Sequence, residues 1–128
     1  MPINTLDSSS RFAVLRRHEN DVLIVSVRGG LDEVTAPSLA TQLDESMIHQ
    51  PRVLIVDLTA VHFMSTSGIS LLVEMQRLTR STSATLRVVA DGPATSRPMH
   101  LLGVERLIEL YPSMREAICG HRDGEARL

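Results

Sequence analysis

The chain has no lysine: all 13 of its basic Lys/Arg positions are arginine. That absence removes the P-loop lysine, the strand lysine of protein kinases, Schiff-base chemistry and any catalytic amine. Cysteine is almost as scarce. Cys119 stands alone, so an intrachain disulfide, a Cys-x-x-Cys redox pair and a cysteine-rich zinc site are excluded, and a reducing, cytoplasmic setting is expected. Cys119 itself, among apolar residues, is expected to act as a small core hydrophobe. The aromatic residues are Phe12, Phe63 and Tyr111, and the net charge of −2 is spread over both signs. Neither a phosphate-tracking patch nor a base-stacking platform is evident, so nucleic acid is not an expected partner. No apolar run approaches the roughly 18–20 residues that span a bilayer. Met1–Ser10 lacks the basic-then-apolar order of a secretory signal, so neither a membrane nor export is expected.

What is present is an ordinary globular composition, 43% hydrophobic and 22% charged over 128 residues. A chain of this size buries about two-thirds of its unfolded surface, enough for a core without staples. Phe12-Ala13-Val14-Leu15, turning polar at Arg16-Arg17-His18, reads as an edge strand, and Glu19-Asn20-Asp21 as a hairpin turn. Val22–Val27 is β-branched and nearly all apolar, as in a strand covered on both faces, and Gly29-Gly30 is expected to stop it. Thr35 is expected to cap a helix that tolerates Pro37 in its first turn and repeats Ala36, Leu39, Ala40, Leu43 and Met47 at helical spacing, with Pro51 as its stop. Val53–Val56 is a second inner strand closed by Asp57, and helical spacing returns from Ile69 through Leu78. Leu86–Ala90 is a third inner strand. A short helix follows with Pro98 near its start and Gly103 at its C-terminal cap, then a brief strand at Leu107–Tyr111. Ser113-x-x-Glu116 is a capping box opening a helix Met114–Cys119 that ends at Gly120.

The order β-β-α-β-α-β-α-β-α implies an α/β fold with a mainly parallel sheet. Residues 1–10 are expected to form a flexible leader, 11–120 the domain and 121–128 a flexible tail. In such sheets sites gather at the carboxyl ends of strands.

Several chemistries can be weighed there. No Gly-x-Ser-x-Gly elbow and no Gly-x-Gly-x-x-Gly fingerprint is present. His18, His49, His62, His100 and His121 show no His-x-x-x-His spacing, so solvated or half-buried histidines are expected and no metal site. Asp57 ends an inner strand as a receiver's phosphoacceptor would, but that chemistry needs a late lysine. A small hydrolase using Ser65 or Thr66 with His62 is conceivable, with nothing in the sequence to orient the base. There remains the cluster Ser65-Thr66-Ser67-Gly68 at the head of the second long helix. One of its hydroxyls caps the helix whatever the protein does. A phosphate added there, carrying about −1.5 to −2 charges, would be held by free N–H groups and the helix dipole.

The stretch Val53-Leu54-Ile55-Val56-Asp57-Leu58-Thr59-x-Val61-x-Phe63-Met64-Ser65-Thr66-Ser67-Gly68-Ile69 resembles the signature of the STAS domain as found in bacterial anti-sigma-factor antagonists, typically Phe-Met/Ile-Asp-Ser/Thr-Ser-Gly-Leu. Gly30-Leu31-Asp32, followed by Ala36-Pro37-x-Leu39, is similar to the family's second motif, and the likeness runs over about residues 12–119. The resemblance implies a mixed, mostly parallel sheet with helices mainly on one side. It also implies a non-enzymatic switch that binds an anti-sigma factor with Ser/Thr kinase activity. Phosphorylation breaks that complex, a phosphatase restores it, and the kinase supplies ATP and Mg²⁺, so no cofactor is expected here. Carried over by position, the phosphoacceptor is Thr66, with Ser65 and Ser67 as alternatives. Asp32, Met64, Ser65, Ser67, Gly68 and Ile69 are the expected partner-binding residues. Ser65 stands where the family pattern has Asp, which leaves open a non-phosphorylated module in a larger assembly, such as a stress-signalling complex or a lipid-transport ATPase.

Overall fold

The computed structural model describes residues 11–120; the expected leader and tail, and His121, lie outside the described residues. Strands β1 (Ala13–Glu19) and β2 (Val22–Leu31) form the hairpin, antiparallel from Ala13 opposite Arg28 to Glu19 opposite Val22. Its turn places Asn20 at φ 61°, a left-handed conformation that asparagine tolerates. Strands β3 (Val53–Met64), β4 (Thr85–Val89) and β5 (Glu109–Tyr111) add in parallel, giving the sheet order β1-β2-β3-β4-β5.

This order fixes where the helices lie. From β2 onward each crossover steps the same way across the sheet, and a right-handed crossover then puts every connecting helix on the same face. Helices α1 (Ala36–Met47), α2 (Thr66–Thr79) and α3 (Ser96–Leu101) are those connections. Leu39, Leu43, Leu72, Met75 and Met99 from them pack on Leu23, Val25 and Val27 of β2, Leu54, Val56 and Leu58 of β3, and Leu86 and Val88 of β4. Helix α4 (Met114–Cys119) follows the last strand and is free to take the other face, where Ala117 covers Ile24, Val53, Ile55, Val89 and Tyr111. Arg87 of β4 donates from Nη1 to the Ala117 carbonyl at 2.9 Å, a cation at the negative end of the α4 dipole, and its Nε lies 3.3 Å from Glu109 Oε1. Both rims of the sheet are poor templates for a further strand. β1 carries exposed Arg16, Arg17, His18 and Glu19, and β5 is three residues long. Among the described residues no helix is long and apolar enough to cross a membrane.

The capping box at Ser113, the stop at Gly120 (φ 84°) and Gly103 (φ 74°) after α3 are as expected. Four expectations need correction. β2 runs through Gly29-Gly30 to Leu31, because Gly29 at φ 98° supplies an irregularity within the strand and does not end it. β3 continues past Asp57 to Met64, carrying two extra residues relative to β2: Ser26 to Arg28 faces Asp57 to Ala60, and Gly29 to Gly30 faces Val61 to Phe63. At the first of these bulges Asp57 Oδ1 accepts from the Thr59 N–H (3.0 Å) and hydroxyl (2.8 Å), supplying partners beside an interrupted ladder. Cys119 is exposed, since the face of α4 that meets the sheet is set by Ala117. Thr35 occupies the N-cap position of α1 but its side chain makes no cap bond there.

A Cβ on Gly29 would sit 2.8 Å from the Phe12 Cα and 2.9 Å from the Arg11 carbonyl, at a φ that L-residues rarely adopt. Gly29→Ala is therefore expected to destabilise the fold by about 2–3 kcal/mol, combining left-handed strain with backbone displacement. A urea midpoint equal to wild type would contradict this.

Candidate functional site

The extended pairing of β2 and β3 brings two chain segments to one end of the sheet. Leu31 is opposite Met64 in the last register pair, and the Leu31 carbonyl accepts from the Ser65 N–H at 2.8 Å. The turn after β2 thus abuts the head of α2, as expected for Asp32. Gly68 permits the contact. A Cβ there would lie 2.8 Å from Leu31 Cγ and 3.3 Å from its carbonyl oxygen, so the first turn of α2 rests directly on the end of β2.

Within the hydroxyl cluster the roles divide. Ser65 is the N-cap, extended at φ −88°, ψ 174°, and its Oγ accepts from the Ser67 N–H at 3.2 Å. Thr66, the first helical residue, is exposed, whereas Ser65 and Ser67 are half-buried. Met64 and Ile69, expected to meet a partner, are 7% and 6% exposed and belong to the main core; their side chains point inward because the register of β3 and the first turn of α2 demand it. Gly68 is likewise buried, a packing residue against Leu31. The exposed apolar side chains at this end are instead Phe63, 53% exposed and opposite Gly30, and Val34, 80% exposed in the turn after β2. The signal in the sequence for Phe63 was an aromatic residue, one of three in the chain, two positions before the cluster. For Val34 the sequence offered none.

The Asp32 turn is held by its own hydrogen bonds. Oδ1 accepts from the backbone N–H groups of Val34 (2.9 Å) and Thr35 (3.0 Å). The Thr35 hydroxyl donates to the Gly30 carbonyl (2.8 Å) and accepts from the Asp32 N–H (2.9 Å), which is why it does not cap α1. The Thr35 N–H chiefly, opposed by desolvation and helped by the Val34 N–H, holds the Asp32 carboxyl below the ordinary carboxylate range. A carboxylate is therefore fixed beside the head of α2 at neutral pH.

The hydrolase that was weighed and not favoured is not assembled here. His62 is exposed on β3, and among the described residues no hydrogen bond joins it to Ser65 or Thr66, so nothing orients it as a base. Among the described residues no group of three or more His, Cys, Asp or Glu side chains is placed to hold a metal ion.

A mostly parallel sheet with three helices on one face, and two motifs converging on an exposed threonine, define a class. The chain belongs to the STAS domain family, whose model matches residues 13–117. Among its relatives is the anti-sigma-F factor antagonist RsfB of Mycobacterium tuberculosis, 32% identical over 105 residues that cover 82% of this chain and 85% of the relative. The crystal structure of an anti-sigma factor antagonist from Mycobacterium paratuberculosis is similar at 33% identity and a TM-score of 0.81, covering 87% of this chain and 94% of that one. The anti-sigma factor antagonist SpoIIAA of Bacillus shares the fold at 14% identity and a TM-score of 0.64, covering 86% and 96%.

Two measurements test this geometry. Ser65→Ala should cost about 1 kcal/mol through loss of the cap, while Ser65→Asp, also a good N-cap, should stay near wild type in chemical denaturation; equal stability of all three would remove Ser65 from the capping role. Because the Asp32 carboxyl has a lower pKa folded than unfolded, its contribution is complete above about pH 4 and is lost as pH falls through the folded value. The difference in urea midpoint between wild type and Asp32→Asn should therefore shrink on acidification. A difference independent of pH would show that those hydrogen bonds contribute nothing through ionisation.

Proposed function

We propose that the chain is an anti-sigma-factor antagonist, a non-enzymatic protein that binds an anti-sigma factor through the end of the sheet carrying Asp32, Phe63, Ser65 and Thr66. The observation that carries this reading is the exposed Thr66 hydroxyl, set on the first turn of α2 beside Asp32, in a chain whose family match spans residues 13–117. The names of its Mycobacterium relatives support the choice of partner.

Thr66 is the proposed phosphoacceptor, and the anti-sigma factor is the proposed kinase, bringing its own ATP and Mg²⁺; a phosphatase would reverse the step. The physics of a switch is available at this position. Ser65 uses its oxygen as a cap, Ser67 is half-buried, and Thr66 alone in the cluster presents its side chain freely. A phosphate of about −1.5 to −2 charges would be added at the end of the sheet that also carries the Asp32 turn and the exposed Phe63 and Val34 side chains. Closing a partner over that dianion requires desolvating it against apolar surface, a penalty that can undo an interface of ordinary size.

The replacement of the family's Asp by Ser65 favours a second reading, a STAS interaction module that binds without being phosphorylated. Affinity capture from the native organism with wild type, Thr66→Ala and Thr66→Glu distinguishes the two. The switch predicts that Thr66→Ala retains an anti-sigma factor and Thr66→Glu loses it, at least tenfold in follow-up titration, with phosphate mapped to Thr66 after incubation with the captured partner and ATP. Equal retention by all three, with no phosphate incorporated, would overturn the switch and leave the module. Phe63→Ala should weaken either complex.

A further inference from the structure

Away from the proposed partner site, a second constellation joins the edge strand to α1. On β1, Arg16 and His18 lie on the same side of the strand, two residues apart; across from them, Glu45 stands in the last turn of α1 and His49 in the turn that follows it. The two pairs meet: Arg16 Nη1 is 3.9 Å from Glu45 Oε1, and the His18 and His49 rings have centroids 4.7 Å apart with planes at 77°. Both imidazoles are exposed.

We propose that His18 and His49 form a two-histidine chelating site for a divalent transition metal ion of the Zn²⁺ or Cu²⁺ type. Metal–nitrogen bonds of about 2.0–2.1 Å, at angles between square and tetrahedral, put two imidazole centroids on one ion about 4.5–5 Å apart, which brackets the separation present here. The outer torsion of histidine is broad, which lets each ring turn about its Cβ–Cγ bond toward a shared ion. Imidazole suits Zn²⁺, Cu²⁺ and Ni²⁺, and the neighbouring Arg16 does not stand as an uncompensated cation because Glu45 faces it. Since the ligands come from β1 and from the segment after α1, a bound ion cross-links two elements and stabilises the folded state by mass action.

The test is a titration of untagged full-length protein with ZnCl₂ at neutral pH, followed by calorimetry and thermal unfolding. Wild type should bind one Zn²⁺ per chain with a rise in Tm. His18→Ala and His49→Ala should each weaken binding at least tenfold and abolish the rise. His100→Ala and His121→Ala should behave as wild type. Both mutated side chains are exposed, and circular dichroism of the variants checks that they fold. Absence of binding in wild type, or binding undiminished in His18→Ala and His49→Ala, would overturn the proposal.

Discussion

The proposed functional end of this molecule depends on one hydrogen-bonded contact, the Leu31 carbonyl with the Ser65 N–H, and on the side-chain-free surface of Gly68 that allows the contact to close. β2 and β3 are paired well beyond the part of the sheet that β4 and β5 support. That overhang ends with the two loops side by side. Leu31 is fully buried, so the site is built directly on the core and does not sit on a detached loop. A helix laid over a strand end at this distance is possible only where the crossing residue lacks a Cβ.

The same geometry distributes labour within four consecutive residues. Met64 turns into the core, Ser65 satisfies an orphan N–H, Thr66 stands in water and Ser67 is partly covered. Of the three hydroxyl residues, Thr66 is thereby the one left fully exposed. The Asp32 turn is similarly self-sufficient. Its carboxylate is occupied by backbone N–H groups of its own loop, which keeps it ionised and fixed near the threonine without needing a partner to hold it.

Much of this was readable in the residues. The nearly all-apolar Val22–Val27 and Val53–Val56 announced inner strands, the helical repeats announced α1 and α2, and Ser113-x-x-Glu116 announced α4, because each of these follows an unbroken period or a local cap. The stretch from Leu58 to Met64 was not readable as strand. Its inward residues are Leu58, Val61 and Met64, three apart, since each bulge adds a residue and shifts the alternation, leaving a spacing closer to a helix than to a pleat. Gly29 misled for a related reason: glycine marks both the end of a strand and an irregularity inside one. At the site, the acceptor candidates and Asp32 were identified by motif, but Met64 and Ile69 were assigned outward because sequence proximity to an exposed residue does not say which way a side chain faces. Cys119 failed in the opposite sense, an apolar neighbourhood in sequence lying on the outer side of a six-residue helix.

The charged β1 rim and the three-residue β5 carry a consequence for how such a protein can associate. Lateral growth of the sheet, the route by which strands recruit other chains into long-lived assemblies, is discouraged at both margins. Association is then left to side chains and short turns on the faces and ends of the domain. For the switch proposed above, margins that do not add strands would keep an encounter reversible.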